Sequence, residues 1–181
     1  MANQVESSVE SAMAKNRTLT ERIALYIPFY RGYKQKNLRR DEDRAIRGLV
    51  AKVLEDAKID IKNSQRATVG DLNAMRDGER LYSKVDRYCI DVKKAVNGYS
   101  GFHDSIKITE SELDQVISWD AALIDDVEDL KSKTEMMVRD CDNGDPVGSD
   151  LKLIERTIDK MIDDFRQRDN VMKGFVEKAE E

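Results

Sequence analysis

An aspartate occupies the apolar stripe of a helical segment in the second half of the chain. From Leu113 onwards, spacings of three and four residues select a series of positions that is mostly apolar, as expected for the buried face of a helix. The series is Leu113, Val116, Asp120, Leu123, Val127, Leu130, Thr134 and Met137. A carboxylate on such a face needs a cation or hydrogen-bond donors, because burying it alone costs several kcal/mol. We therefore expect Asp120 to be buried and bonded to donors from elsewhere in the chain.

The best supply of donors is residues 27–34, Ile-Pro-Phe-Tyr-Arg-Gly-Tyr-Lys. Tyrosine and arginine are the side chains best suited to satisfy a buried carboxylate. Pro28 lacks a backbone N–H and restricts the residue before it, so a helix should end or kink there. Gly32 gives the backbone a second point of freedom.

Basic residues continue beyond this segment. Residues 31–47 contain seven Lys and Arg against Asp41, Glu42 and Asp43, with tyrosines at the start of the stretch. This mixture could bind phosphates or anionic headgroups. It could equally be the internal partner of Asp120, and both interpretations remain open.

A glycine-rich loop with aromatic residues, Gly-Tyr-Ser-Gly-Phe at 98–102, follows the third predicted helix. Its aromatic side chains are expected to cover one end of the bundle. The predicted polar cluster comprises Tyr30, Arg31, Tyr33, Lys34, Arg39, Arg40 and Asp120.

Other catalytic patterns are weak. His103 is the single histidine, and Cys89 and Cys141 lie too far apart in sequence for a zinc-binding spacing. The acidic pairs Asp125/Asp129 and Asp159/Asp163 have the spacing with which all-helical hydrolases hold Mg²⁺, but a solvated acidic face is the ordinary interpretation. We predict no catalytic residue, no metal ligand and no cofactor.

The elements that must position these residues are helices. Apolar residues make up 40% of the 181 residues and charged residues 37%, with only two prolines, which favours long amphipathic helices. Periodicity predicts a short helix from Thr18 and four long ones over about 34–62, 68–96, 109–140 and 150–178, with a loop at 142–149. The predicted fold is all-α: an elongated antiparallel bundle of four long helices with an extra short N-terminal helix. Residues 1–17 are predicted to be a polar arm and 18–178 one domain.

Charge is distributed unevenly along the chain. Residues 1–102 contain 20 Lys and Arg against 14 Asp and Glu, whereas residues 103–181 contain 11 against 22. The two halves are expected either to pair internally or to leave a basic part for an anionic partner. No transmembrane segment or signal peptide is predicted, and two cysteines do not form a disulfide framework, so we expect a cytoplasmic protein.

The motif at 27–34 with Arg39-Arg40-x-x-Asp43, the loop at 98–102, and Glu112-Leu113 with Trp119-Asp120-x-x-Leu123 together resemble a family of prokaryotic all-helical proteins with no assigned activity. The likeness covers roughly residues 20–130. It implies that the motif at 27–34, the loop at 98–102 and Asp120 belong to one constellation, which adds Tyr99 to the predicted polar cluster. It supplies no catalytic residues.

These observations favour a non-enzymatic helical-bundle protein that serves as an interaction or scaffolding module and self-associates. One alternative is an adaptor that binds nucleic acid or anionic membrane through the basic, tyrosine-rich residues 29–47. A second alternative is a Mg²⁺-dependent all-α hydrolase that uses the Asp and Glu pairs.

Overall fold

The structure is a computed structural model that describes residues 19–34, 39–68, 70–94 and 109–180, with the backbone alone for residues 67 and 175–180. The predicted arm, the loop at 98–102 with Tyr99, and His103 lie outside the described residues. Every regular element in the described part is helical. A short helix α1 covers residues 19–24, and four long helices follow: α2 Arg39–Ala67, α3 Leu72–Lys94, α4 Glu110–Asn143 and α5 Gly148–Glu180.

The boundaries of α4 follow from its sequence. Thr109 caps the helix: its side chain accepts from the Glu112 backbone N–H, and the Glu112 carboxylate accepts from the Thr109 backbone N–H, which is the predicted capping box. At the other end Gly144 adopts a left-handed conformation with φ of 78° and closes the helix. The connection to α5 is residues 144–147, shorter than the predicted loop at 142–149, because both helices extend into it.

The four long helices form two hairpins. Ion pairs join Glu55 to Lys93 and Lys58 to Asp86, so α2 and α3 run in opposite directions. In the second hairpin, α4 and α5 are also antiparallel, as Asp120 pairs with Arg168 and Asp126 with Lys160.

The hairpins pack side by side. The largest contacts between them join α2 to α4 and α3 to α5. Here the neighbours run in the same direction, since Arg80 meets Glu155 while Tyr88 meets Met161 further along both helices. The predicted antiparallel arrangement therefore describes each hairpin but not the contacts between the two hairpins.

The core lies where the periodicity of the sequence predicts it. All eight positions of the α4 series that contains Asp120 are buried. The predicted solvated acidic face of α4 needs one correction: Asp126, next to the pair Asp125/Asp129, is buried, with its side chain only 3% exposed. Because 3.6 residues make a turn, Asp126 lies beside the stripe through Leu123 and Val127 and is covered by α5. None of the described helices combines the length and hydropathy needed to cross a membrane.

Candidate functional site

Asp120 is completely buried and accepts three hydrogen bonds. Its Oδ2 accepts hydrogen bonds from the hydroxyl of Tyr30 at 2.6 Å and from that of Tyr33 at 2.8 Å. Its Oδ1 accepts a hydrogen bond at 2.5 Å from Nε of Arg168, in the C-terminal part of α5. The carboxylate thus gains one cation and two neutral donors, which compensates for its removal from water.

Arg168 links two carboxylates and one phenol, although its side chain is fully buried. Besides Asp120, its Nη1 donates to Asp43 Oδ1 at 2.7 Å, and its Nη2 donates to the Tyr33 oxygen at 2.7 Å. Tyr33 therefore accepts from Arg168 and donates to Asp120. All three guanidinium nitrogens have partners, as a buried arginine requires.

A second buried arginine, Arg47, extends the network along α2. Its Nε donates to Asp43 Oδ2 at 3.0 Å, and its Nη2 to Asp169 Oδ1 at 2.9 Å. The guanidinium carbon also lies 5.0 Å from the centre of the Phe165 ring, within cation–π range. Asp43, Arg47, Asp120 and Arg168 carry two charges of each sign, so the buried part is formally neutral.

The network also fixes the backbone of residues 23–34, which we call the N-terminal segment. Glu42 accepts the backbone N–H groups of Arg31 and Tyr33, the latter at 2.6 Å. Arg39 Nε donates to the Tyr33 carbonyl at 2.8 Å. Residues 25–34, the described part of the connection between α1 and α2, contain no regular secondary structure, and three of their backbone groups thereby find partners in α2.

This loop contains unusual backbone conformations. Phe29, Gly32 and Tyr33 all have positive φ, of 68°, 65° and 60°. Such angles cost a non-glycine residue about 1–2 kcal/mol, so surrounding contacts must enforce them. A Cβ at Gly32 would lie 2.7 Å from Cδ1 of Ile117, so a side chain at this position would require the Ile117 side chain on α4 to shift. We call Tyr30, Tyr33, Arg39, Glu42, Asp43, Arg47, Asp120, Arg168 and Asp169 the clamp.

The electrostatics of the clamp favour its present protonation states. Burial raises the pKa of Tyr30 well above its ordinary value, and the neighbouring Asp120 raises it further. Burial is likewise the main cause of the strongly raised pKa of Tyr33. Burial acts to lower the pKa of Arg168, but Asp120, Tyr33 and Asp43 outweigh it and leave this pKa well above normal. Neutral phenols and a charged guanidinium are therefore the stable forms.

The structure brings together part of the predicted polar cluster. Tyr30, Tyr33, Arg39 and Asp120 meet as predicted. The side chains of Arg31, Lys34 and Arg40 are exposed, and Arg31 contributes only its backbone N–H. Tyr99 lies outside the described residues. The arginine that neutralises Asp120 is Arg168, which the sequence analysis did not select.

A signal for Arg168 is nevertheless present in the sequence. Inward positions of α5 recur at spacings of three and four through Leu151, Ile154, Ile158, Met161 and Phe165, and the next positions are Arg168 and Met172. Arg168 therefore breaks the α5 stripe just as Asp120 breaks that of α4. A search for opposite charges that each interrupt an apolar stripe would have predicted the pair of Asp120 and Arg168.

The acidic pairs that suggested a metal site have other partners. Asp125 pairs with Arg22, and Asp159 accepts from Lys84 at 2.9 Å. Asp163 lies 3.7 Å from Arg166. Asp129 accepts from Lys133 at 2.6 Å and from Thr157 at 2.9 Å. Within the described ranges, no three His, Cys, Asp or Glu side chains are placed to hold a metal ion.

Comparison with known proteins found no match among family models, curated proteins or solved structures. The fold and the site alone define its class, an all-α bundle of two helical hairpins around a buried carboxylate–arginine–tyrosine clamp.

Proposed function

We propose that this protein is a non-enzymatic interaction module, and that the clamp holds its N-terminal segment in position for self-association. The observation that supports this most is the state of Phe29. This residue has a strained positive φ, yet 83% of it is exposed. Strain persists only where surrounding contacts over-determine it, and here those contacts leave the aromatic ring in solvent.

The segment offers two apolar side chains to a partner. Leu25 is 82% exposed and lies four residues before Phe29. The opposite side of the segment is anchored: Ile23 and Ile27 are buried, and Tyr26 bonds to Glu128 of α4. A short segment with one buried side and two exposed apolar residues on a fixed backbone resembles the apolar centre of a protein interface.

The clamp itself favours a structural role over catalysis. Its carboxylates, guanidinium groups and phenols bind one another with ordinary hydrogen-bond lengths. A substrate would have to displace these bonds, and doing so would strand buried charges at a cost of several kcal/mol. Rigid presentation of a surface requires no such displacement.

Sedimentation velocity over a range of protein concentrations tests the proposal. The wild-type chain should associate as concentration rises, and the variant Leu25→Glu plus Phe29→Glu should remain monomeric. Leu72→Glu is the matched control, because Leu72 is 69% exposed on α3, away from the segment. A wild-type chain that stays monomeric at millimolar concentration would remove self-association.

The adaptor alternative retains a smaller basic surface. Of the basic residues in 29–47 that the structure describes, Arg39 and Arg47 are buried in the clamp, whereas Arg31, Lys34, Arg40 and Arg44 are exposed. Binding to nucleic acid or anionic vesicles that weakens with salt and with Arg31→Glu plus Arg40→Glu would support this alternative.

A further inference from the structure

A groove between α3 and α5 has the lining of a ligand site. It encloses about 440 Å³ and lies on different elements from the exposed N-terminal segment. Ligand sites in proteins commonly have volumes of about 300–1,000 Å³, so the groove is large enough for a small organic molecule. Its lining residues divide into an apolar floor and a charged rim.

The floor of the groove is aromatic and held in place. Tyr88 and Phe165 pack edge to face, with ring centres 5.9 Å apart, and both are buried. The Tyr88 hydroxyl donates to the Met161 carbonyl at 3.0 Å, so the polar end of this ring is already occupied. Ile162 completes an apolar surface suited to a hydrocarbon or aryl group.

The rim is predominantly basic. Its charged members are Arg80, Lys84, Arg87, Arg166 and a single acid, Asp91. Arg80 and Lys84 are neutralised in part by Glu155, which binds each of them at 2.9 Å.

Two arginines of the rim are less strongly engaged in ion pairs than Arg80 and Lys84. Arg166 has only an exposed contact of 3.7 Å with Asp163. Arg87 forms no ion pair with any residue in the described part of the chain. Guanidinium groups bind carboxylate and phosphate in a two-pronged geometry, so this pair is the natural place for an anionic head.

We infer that the groove binds a small amphipathic anion: its apolar body would lie on Tyr88, Ile162 and Phe165, and its acidic head would face Arg87 and Arg166. Charge complementarity selects an anion over a cation, and the apolar floor selects an amphiphile over a bare inorganic ion. This inference is independent of the proposed self-association, because no residue is shared between the two surfaces.

Titration with two probes tests the inference. Dodecanoate supplies a carboxylate on an alkyl chain, and dodecyltrimethylammonium supplies the same chain with the opposite charge. Isothermal calorimetry should show saturable one-to-one binding of dodecanoate, weakened by salt, and much weaker binding of the cation. Inorganic phosphate should bind at least tenfold more weakly than dodecanoate.

Two variants locate the binding site. Arg87→Glu plus Arg166→Glu should weaken dodecanoate binding at least tenfold, and circular dichroism should show an unchanged fold because both side chains are exposed. Arg76→Glu plus Arg156→Glu is the matched control: it makes the same charge change at exposed positions of α3 and α5 outside the groove lining and should leave the affinity unchanged. Equal affinity for the two amphiphiles, equal loss in both variants, or no binding of dodecanoate would overturn the inference.

Discussion

At the end of the bundle where α4 turns into α5, the core consists mainly of apolar side chains such as Met137, Val147 and Leu151, with Asp150 as a buried polar exception. Toward the other end, Asp120 and Arg168 occupy the equivalent stripe positions on the same two helices. Apolar contacts are non-directional and tolerate exchange of one side chain for another of similar size. Buried ion pairs and hydrogen bonds require particular partners at particular angles.

This difference between apolar contacts and directional bonds corresponds to the elements that each end of the bundle holds together. The apolar end closes a hairpin whose two helices are joined by four residues, so the chain itself keeps them together. The clamp joins four separate elements: the N-terminal segment, α2, α4 and α5. We propose that directional bonds are used there because the apolar contacts of Ile23 and Ile27 are non-directional and would not by themselves give the segment before α2 a unique position.

The largest expected effect contrasts Asp120 with Leu130, both buried on α4. Asp120→Ala should lower the free energy of unfolding by about 2–4 kcal/mol, since it strands Arg168 and two phenols. Leu130→Ala should cost a similar amount, about 2–5 kcal/mol, by leaving a cavity. Urea unfolding measures both losses.

Hydrogen exchange then separates the two mechanisms. Amides of residues 23–33 should lose protection in Asp120→Ala and keep it in Leu130→Ala, after correction for global stability. Equal loss of protection in both variants would show that the clamp has no special hold on the segment. A loss of stability under about 0.5 kcal/mol for Asp120→Ala would mean that its donors find other partners.

The next effect tests the backbone of the segment. Gly32→Ala should destabilise by about 2 kcal/mol, because φ is positive and the new Cβ meets Ile117. Gly48→Ala is the control on α2: no atom lies within 4 Å of its added Cβ, and alanine should stabilise the helix by about 0.5–1 kcal/mol. Thermal denaturation of both variants is sufficient. A Gly32→Ala protein as stable as the wild type would show that the segment is not held against α4.

Sequence periodicity could predict the helices and the burial of Asp120, because both depend on local spacing and on which face is apolar. It could not predict how the hairpins pair. Two hairpins can place α2 beside α4 or beside α5 and still bury the same stripes. The clamp was only half predicted for the same reason: Tyr30 and Tyr33 stood out as an unusual local motif, whereas Arg168 becomes informative only when two stripes are compared.

The two tyrosines of the clamp should differ in importance. Tyr33 both donates to Asp120 and accepts from Arg168, whereas among the described residues the Tyr30 hydroxyl is bonded to Asp120 alone. Tyr33→Phe should therefore cost about 1–2 kcal/mol and Tyr30→Phe about 1 kcal/mol or less. Chemical denaturation of the two variants checks the order. Equal losses would show that the bond from Arg168 to Tyr33 contributes little.

The smallest expected effect concerns Asp126, a buried carboxylate outside the clamp. Burial raises its pKa from 3.8 to about 6; Lys160 opposes this rise and Asp164 adds to it. The folded state therefore holds a proton on Asp126 between about pH 4 and 6 that the unfolded state has released. The contribution of Asp126 to the free energy of unfolding is therefore greatest at low pH and falls as the pH rises through that window.

Asp126→Asn should remove this dependence. Relative to the wild type, the variant should be more stable at pH 7.5 than at pH 4.5 by about 1 kcal/mol, measured by urea unfolding at each pH. Lys160→Met should shift the window upward, because the lysine is the group that lowers the pKa of Asp126. A difference in the free energy of unfolding between Asp126→Asn and wild type that does not change with pH would mean that the partners of Asp126 compensate fully for its burial, as those of Asp120 do. The number of partners, rather than burial, would then distinguish the clamp from the rest of the core.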